Sequence, residues 1–149
     1  MRLEDEIKQK KFKNEFQKAA VNLIYTSNWI EAKFAPLMKE FGLTVQQFNI
    51  LRILRGQHPT PATINLLKER MLDKMSDASR LVDRLLEKGY LSRQVCGKDR
   101  RRVDILITQS GLDLLEKIDV HEQKFYSELI NLTSEEADLL NNLLDKFRG

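Results

Sequence analysis

One cysteine, two histidines, three prolines and one tryptophan are all that 149 residues contain of those types. A single Cys closes no internal disulfide, so stability must come from packing, and the chain suits a reducing compartment. His58 sits before Pro59 in a loop, and His121 has no second His one helical turn on. A zinc site needs about four clustered ligands, so no metal is expected. No apolar run approaches the ~20 residues needed to cross a bilayer. The opening MRLEDEIKQKKFKNEF is too charged for a signal peptide. A cytoplasmic chain with no membrane partner is expected. Also missing are a Gly-rich phosphate loop, a nucleophile elbow and any recognisable Ser, His and Asp arrangement. No catalytic residue, no cofactor and no enzymatic activity are therefore expected. Asp83 and Glu87 lie one turn apart, but each has a basic neighbour, and they read as helix-surface ion pairs.

What the chain does have is a core and an uneven charge. It is 42% hydrophobic and 32% charged, the composition of a folded domain. The formal net charge is only +3. Residues 88–102, however, hold six basic residues against one acid, a net of +5, and residues 103–149 hold four against ten, a net of −6. Four of those bases fall within five positions: Lys98, Arg100, Arg101 and Arg102, interrupted by Asp99. A dense local patch points to a polyanion partner, and a solvated basic loop is its plainer reading.

Periodicity orders the chain. Ile7, Phe12, Phe16, Ala19, Leu23 and Ile30 predict a long amphipathic helix over 6–30, too long to bury its whole stripe against one small domain. A second helix over 31–41 stops at Gly42. Thr44 and Gln47 form a capping box for a helix burying Phe48, Leu51 and Leu54. His58-Pro59-Thr60-Pro61 breaks it, with Thr60 as the next N-cap and Pro61 at N1. A short helix with Ile64, Leu67 and Met71 inward follows. A turn at 72–74 leads to a helix over 74–88 burying Ala78, Leu81, Val82 and Leu85, and Gly89 stops it. The period then changes to two: Tyr90–Val95 and Val103–Thr108 read as a hairpin. From Ser110 a helix places Leu115, Ile118, Glu122, Phe125, Leu129 and Leu132 at seven-residue rhythm. A second capping box, Thr133 with Glu136, opens a last helix with Ala137, Leu140, Leu143 and Phe147 inward. The expected fold is mainly α with one small β-hairpin (α+β).

Helix, short helix, turn, helix, hairpin is the order of a winged helix-turn-helix, whose second helix enters the DNA major groove. The helix over 74–88 leaves Ser76, Asp77, Ser79, Arg80 and Arg84 off its core side. Small hydroxyls there suit close approach to bases and phosphates, and Arg80 reaches a guanine edge or a phosphate. If 96–102 is the tip of a wing, Lys98, Arg100, Arg101 and Arg102 lie beside a narrow, electronegative minor groove. Asp99 then orients Arg101 by a charge-assisted hydrogen bond.

These residues resemble a known family. SDASRLVDRLLEKGYLSR followed by KDRRRVDILITQSG is similar to the MarR (multiple antibiotic resistance regulator) family. Asp99 and Arg101 match the Asp-x-Arg of its wing, and Ile107-Thr108-Gln109-Ser110-Gly111 matches the Leu-Thr-x-x-Gly that closes it. The resemblance extends over essentially the whole chain. It implies a homodimer, with 1–35 and 110–149 as a helical dimerisation region and 36–109 as the DNA-binding lobe. It implies a transcriptional regulator on a pseudo-palindromic operator with half-sites about 34 Å apart. It also implies a repressor that a small aromatic acid, an oxidant or a metal releases.

Two further readings stay open. Tyr25, Trp29, Phe34 and Met38 fall near the junction of the first two predicted helices, where the resemblance implies a ligand pocket; aromatics at helical spacing are also ordinary core. Cys96 stands beside Lys98 and Arg100, where cations favour a thiolate, and would make the regulator redox-responsive. Peroxide-sensing family members resemble one another in a first-helix thiol, which is absent here, so Cys96 also reads as an incidental residue. The competing function is a winged-helix module that binds protein rather than specific DNA.

Overall fold

The computed structural model of the chain describes residues 1–95, 103–129 and 131–149. Its elements run α1 (Leu3–Glu6), α2 (Glu15–Glu40), α3 (Val45–Gln57), α4 (Ile64–Arg70), α5 (Ala78–Glu87), β1 (Leu91–Val95), β2 (Val103–Ile107), α6 (Gln109–Leu129) and α7 (Ser134–Arg148). The chain divides into two compact units, Met1–Leu115 and Glu116–Gly149. The expected class, mainly helical with one hairpin, is what forms.

Most of the first unit's core comes from α3 and α5. Ile50, Leu51 and Leu54 on α3 are buried, as are Ala78, Val82 and Leu85 on α5. Leu67 and Met71 close the floor from α4, and Phe34 and Met38 descend from α2. Phe34 packs its ring against Phe48 at 5.6 Å, tilted by 55°, a favourable aromatic geometry. The α3 capping box forms as expected: Gln47 N donates to Thr44 Oγ1 at 3.1 Å, and Thr44 N donates to Gln47 Oε1 at 3.0 Å. The reciprocal bond explains how Gln47, a polar residue, sits buried without penalty.

β1 and β2 pair antiparallel from Leu91↔Ile107 to Val95↔Val103. The alternation in β2 turns Ile105 and Ile107 into the core. On the far edge of β2, Ala62 and Ile105 exchange backbone bonds of 2.9 and 2.8 Å. This bridge corrects the expected start of α4. Ala62 is held against β2, so the N-cap is Thr63, whose hydroxyl accepts from Leu66 N at 3.2 Å, and not Thr60.

The N-terminal helices also differ from expectation. The separate helices over 6–30 and 31–41 are instead α1 and one continuous α2. Asn14 caps α2, accepting from Gln17 N at 2.9 Å, which leaves Ile7 and Phe12 outside it. No breaker stands at 30–31, and Pro36 lies within the helix. α1 is tied to α2 by Lys18 Nζ with Glu4 at 2.6 Å and by Tyr25 Oη donating to Glu6 at 2.9 Å.

In the second unit, α7 has the expected capping box: Glu136 N donates to Thr133 Oγ1 at 3.2 Å and Thr133 N to Glu136 Oε2 at 2.9 Å. Its apolar stripe, expected to face inward, faces solvent among the described residues. Leu139, Leu140, Leu143 and Phe147 are exposed. Among the described residues, no helix is long and apolar enough to cross a membrane.

Candidate nucleic-acid interface

The second helix of the helix-turn-helix is α5, and its outward face is the candidate surface. It is shorter than the expected 74–88, beginning at Ala78 because Asp77 caps it, accepting from Arg80 N at 3.1 Å. The preceding residues are held by Asp73, which accepts from Met75 N at 2.9 Å and from Ser76 Oγ at 2.8 Å. Such side-chain bonds compete with helix formation, and here they win for one turn. The Ser76 hydroxyl, with the Met75 amide and Gln46, holds the Asp73 carboxyl below its usual range. The turn is fixed from below as well: Leu72 N donates to Asn49 Oδ1 on α3 at 2.9 Å. Arg70 donates to Gln57 Oε1 at 3.1 Å, joining α4 to α3.

The five residues read from sequence on this helix therefore fall into different situations. Ser79, Arg80 and Arg84 are exposed on α5. Ser76 and Asp77 belong to the turn, and Asp77 spends a carboxylate oxygen on the cap. Arg84 donates to Glu87 at 3.1 Å. Among the described residues, the Arg80 guanidinium has no partner, which makes it the free cation at the start of the helix. Sequence reasoning passed over Arg93. It lies on the same face of the hairpin as Leu91 and its own cross-strand partner Ile105, at the exposed edge of that face, and donates to Asp83 at 2.7 Å, tying the hairpin to the polar face of α5. Alternation along β1 places it on the face of Leu91, toward α5, and that was the signal that could have found it.

The base of the hairpin is built by Thr108 and Gly111. Thr108 Oγ1 donates to Gly89 O at 2.7 Å and accepts from Gly111 N at 3.2 Å, while Thr108 N donates to Tyr90 O at 3.0 Å. One hydroxyl thus caps α6 and holds the end of α5. A Cβ at Gly111 would stand 2.6 Å from Tyr90 O and 2.7 Å from Ile107 Cγ1. Only glycine admits this approach, which gives the Thr-x-x-Gly pattern its physical reason. Lys88 Nζ donates to Gly42 O, fixing the same C-terminal end of α5 to the α2–α3 corner. The wing residues Lys98, Asp99, Arg100, Arg101 and Arg102, and Cys96 beside them, lie outside the described residues.

The four residues expected to share a pocket separate into two places. Tyr25 and Trp29 line a cleft of about 150 Å³ with Met1, Leu3, Glu6, Asn22 and Thr26. The hydrogen bond to Glu6 raises the pKa of Tyr25. Phe34 and Met38 are instead buried core residues. They follow α2 two turns farther on, where α3 packs over it. No group of three or more His, Cys, Asp or Glu side chains is placed to hold a metal among the described residues.

This geometry defines a winged helix-turn-helix protein. Residues 41–102 match the MarR family. Solved structures resemble the chain nearly end to end. The MarR transcription factor from Planctomyces limnophilus is 29% identical, with TM-score 0.70, over 91% of this chain and 98% of that one. A mutant MarR from Escherichia coli in complex with operator DNA is 24% identical, with TM-score 0.79, over 92% and 98%. Bordetella bronchiseptica BpsR, whose DNA binding is regulated by 6-hydroxynicotinic acid, is 20% identical, with TM-score 0.78, over 93% and 98%. On that match and these neighbours, the chain has the winged-helix fold of the MarR structures, and residues 41–102 are similar in sequence to that family. The Planctomyces limnophilus neighbour is a transcription factor.

Proposed function

We propose that the chain binds double-stranded operator DNA as a homodimer and regulates transcription, as a repressor that a small aromatic molecule releases. The observation that carries this reading is the start of α5: Arg80 has no partner among the described residues, stands on a capped helix, and is flanked by exposed Ser79 and Arg84. In a helix-turn-helix the N-terminal residues of this helix meet base edges. The basic run Lys98, Arg100, Arg101 and Arg102, with Asp99 orienting Arg101, supplies the minor-groove contact on the evidence of sequence alone. The operator-bound E. coli neighbour supports the DNA ligand, and BpsR supports control of DNA binding by a small aromatic acid.

The homodimer rests on uncovered apolar surface. Phe16 and Ile24 on α2 and, in the other unit, Leu139, Leu140, Leu143 and Phe147 on α7 are exposed. Large exposed apolar patches of this kind mark association surfaces. A second copy of the chain covers them isologously in a closed pair.

The test is selection of bound duplexes from a random pool, then anisotropy on the selected duplex across a salt series. An inverted repeat with a steep negative slope of log K on log salt is expected. Arg80→Ala should weaken binding by about 1–3 kcal/mol, roughly 5- to 150-fold. Unchanged affinity in that variant removes α5 from the interface. Absence of any enriched duplex overturns the DNA-binding reading.

A further inference from the structure

The turn that leads into α5 displays two large apolar side chains to solvent. Leu72 is 86% exposed and Met75 is 93% exposed. Their neighbours Met71 and Ala78 are fully buried, so the outward pair sits between two anchored positions. The turn is not loose. Asn49 holds the Leu72 amide, Asp73 holds the Met75 amide and the Ser76 hydroxyl, and Asp77 holds the Arg80 amide. A fixed backbone therefore presents an isobutyl group and a thioether to water, at a hydration cost that a polar residue at either position would avoid.

The surroundings narrow what would cover them. Lys74 stands between the two in sequence, its ammonium donating to Glu69 O, and the exposed Arg80 follows at α5's capped start, with Arg84, paired to Glu87, one turn farther on. The two acids nearby, Asp73 and Asp77, are engaged by backbone amides and a hydroxyl. The complement is thus an anionic partner with small apolar groups on its recognised face. Duplex DNA in the major groove fits that description. Its phosphates are anionic, and the thymine C5-methyl is the apolar group that base edges present there. The thioether of Met is soft and adaptable, suited to packing on a methyl group.

We infer that Met75, with Leu72 beside it, reads thymine methyl groups next to the base pair that Arg80 contacts. It is a specificity-determining residue that charge-based reading of the sequence does not find. The inference rests on the DNA-binding reading above.

The experiment uses the full chain and the duplex selected from the pool. Each thymidine is replaced singly by deoxyuridine, which deletes only the methyl group, and affinities are compared for the parent and for Met75→Ala and Leu72→Ala. Expected is a loss of about fourfold at one symmetry-related thymidine pair per buried methyl, the value of burying one such group. In Met75→Ala that loss should disappear while the salt slope stays the same. These side chains are exposed, so the variants should fold as the parent does. The inference is overturned if no deoxyuridine substitution changes affinity. It is equally overturned if the loss is the same in Met75→Ala, because the two changes would then be uncoupled. Either result leaves DNA binding itself intact. A parent protein that selects no duplex at all fails one step earlier and overturns both readings.

Discussion

Replacing Gly111 with alanine sets two effects against each other at one position. Gly111 is buried in the first turn of α6. Helix propensity alone favours Ala over Gly by about 1 kcal/mol. The new Cβ, however, would stand 2.6 Å from Tyr90 O and 2.7 Å from Ile107 Cγ1. Neither neighbour is the free end of a flexible chain: one is backbone, the other the root of a core side chain. α6 must move away from the end of α5. That movement strains the Thr108 N to Tyr90 O bond of 3.0 Å and the Thr108 Oγ1 to Gly89 O bond of 2.7 Å. Overpacking costs about 1–3 kcal/mol, and each weakened hydrogen bond adds about 1 kcal/mol. Sterics win, with a net loss of about 2 kcal/mol that lowers Tm by roughly 4–8 °C in a chain of this size. The control is Gly56→Ala, in the exposed last turns of α3, where a Cβ meets nothing within 4 Å. It should gain about 0.5–1 kcal/mol. Urea melts at matched protein concentration measure both, with an unchanged m-value showing that only stability moved. Gly111→Ala as stable as the parent, with Gly56→Ala stabilised, would refute the close-approach argument.

Other predictions test the turn, the hairpin tie and the dimer. Asp73 has its pKa lowered by Ser76 and the Met75 amide. Its contribution to stability is therefore full above the ordinary value of 3.8 and lost as pH falls through the lower folded value. Stability of the parent and of Asp73→Asn, followed by urea melts down the acid range, should converge as pH drops; a pH-independent gap would sink the assignment. Asp83→Asn releases Arg93 and removes one negative charge from the face of α5. Because the pair is half-exposed, stability should change by no more than about 1 kcal/mol. Affinity for the selected duplex should rise, with a steeper salt slope, and weaker binding would contradict the placement of this face. Leu143→Glu puts a charge on the uncovered stripe of α7. Sedimentation equilibrium should then give monomer where the parent gives dimer, and an unchanged dimer would exclude that stripe from the interface.

Sequence alone determined whatever is encoded within a few residues. Both capping boxes, at Thr44 and Thr133, form as read, because partners three positions apart meet in any helix N-terminus. The hairpin strands and the inward set Ile105 and Ile107 follow from a period of two. The inward set Ala78, Val82 and Leu85 follows from a period of 3.6. The order of these elements was enough to give the winged helix-turn-helix. Tertiary structure decided whatever depends on a distant partner or on competition between neighbours. α4 starts at Thr63 because Ala62 pairs with Ile105, more than forty positions away. α5 starts at Ala78 because Asp73 binds the turn before it, although the apolar stripe reads equally well from 74. Phe34 left the expected pocket because Phe48 comes to it across the α2–α3 corner. The Thr-x-x-Gly pattern marks Gly111, but the reason for the glycine, its approach to Tyr90, appears only in the packed chain. Leu72 and Met75 read as two more apolar residues until folding leaves both of them in water. Short-range hydrogen bonding and periodicity are written in adjacent residues, whereas exposure and close approach are properties of the whole packed chain.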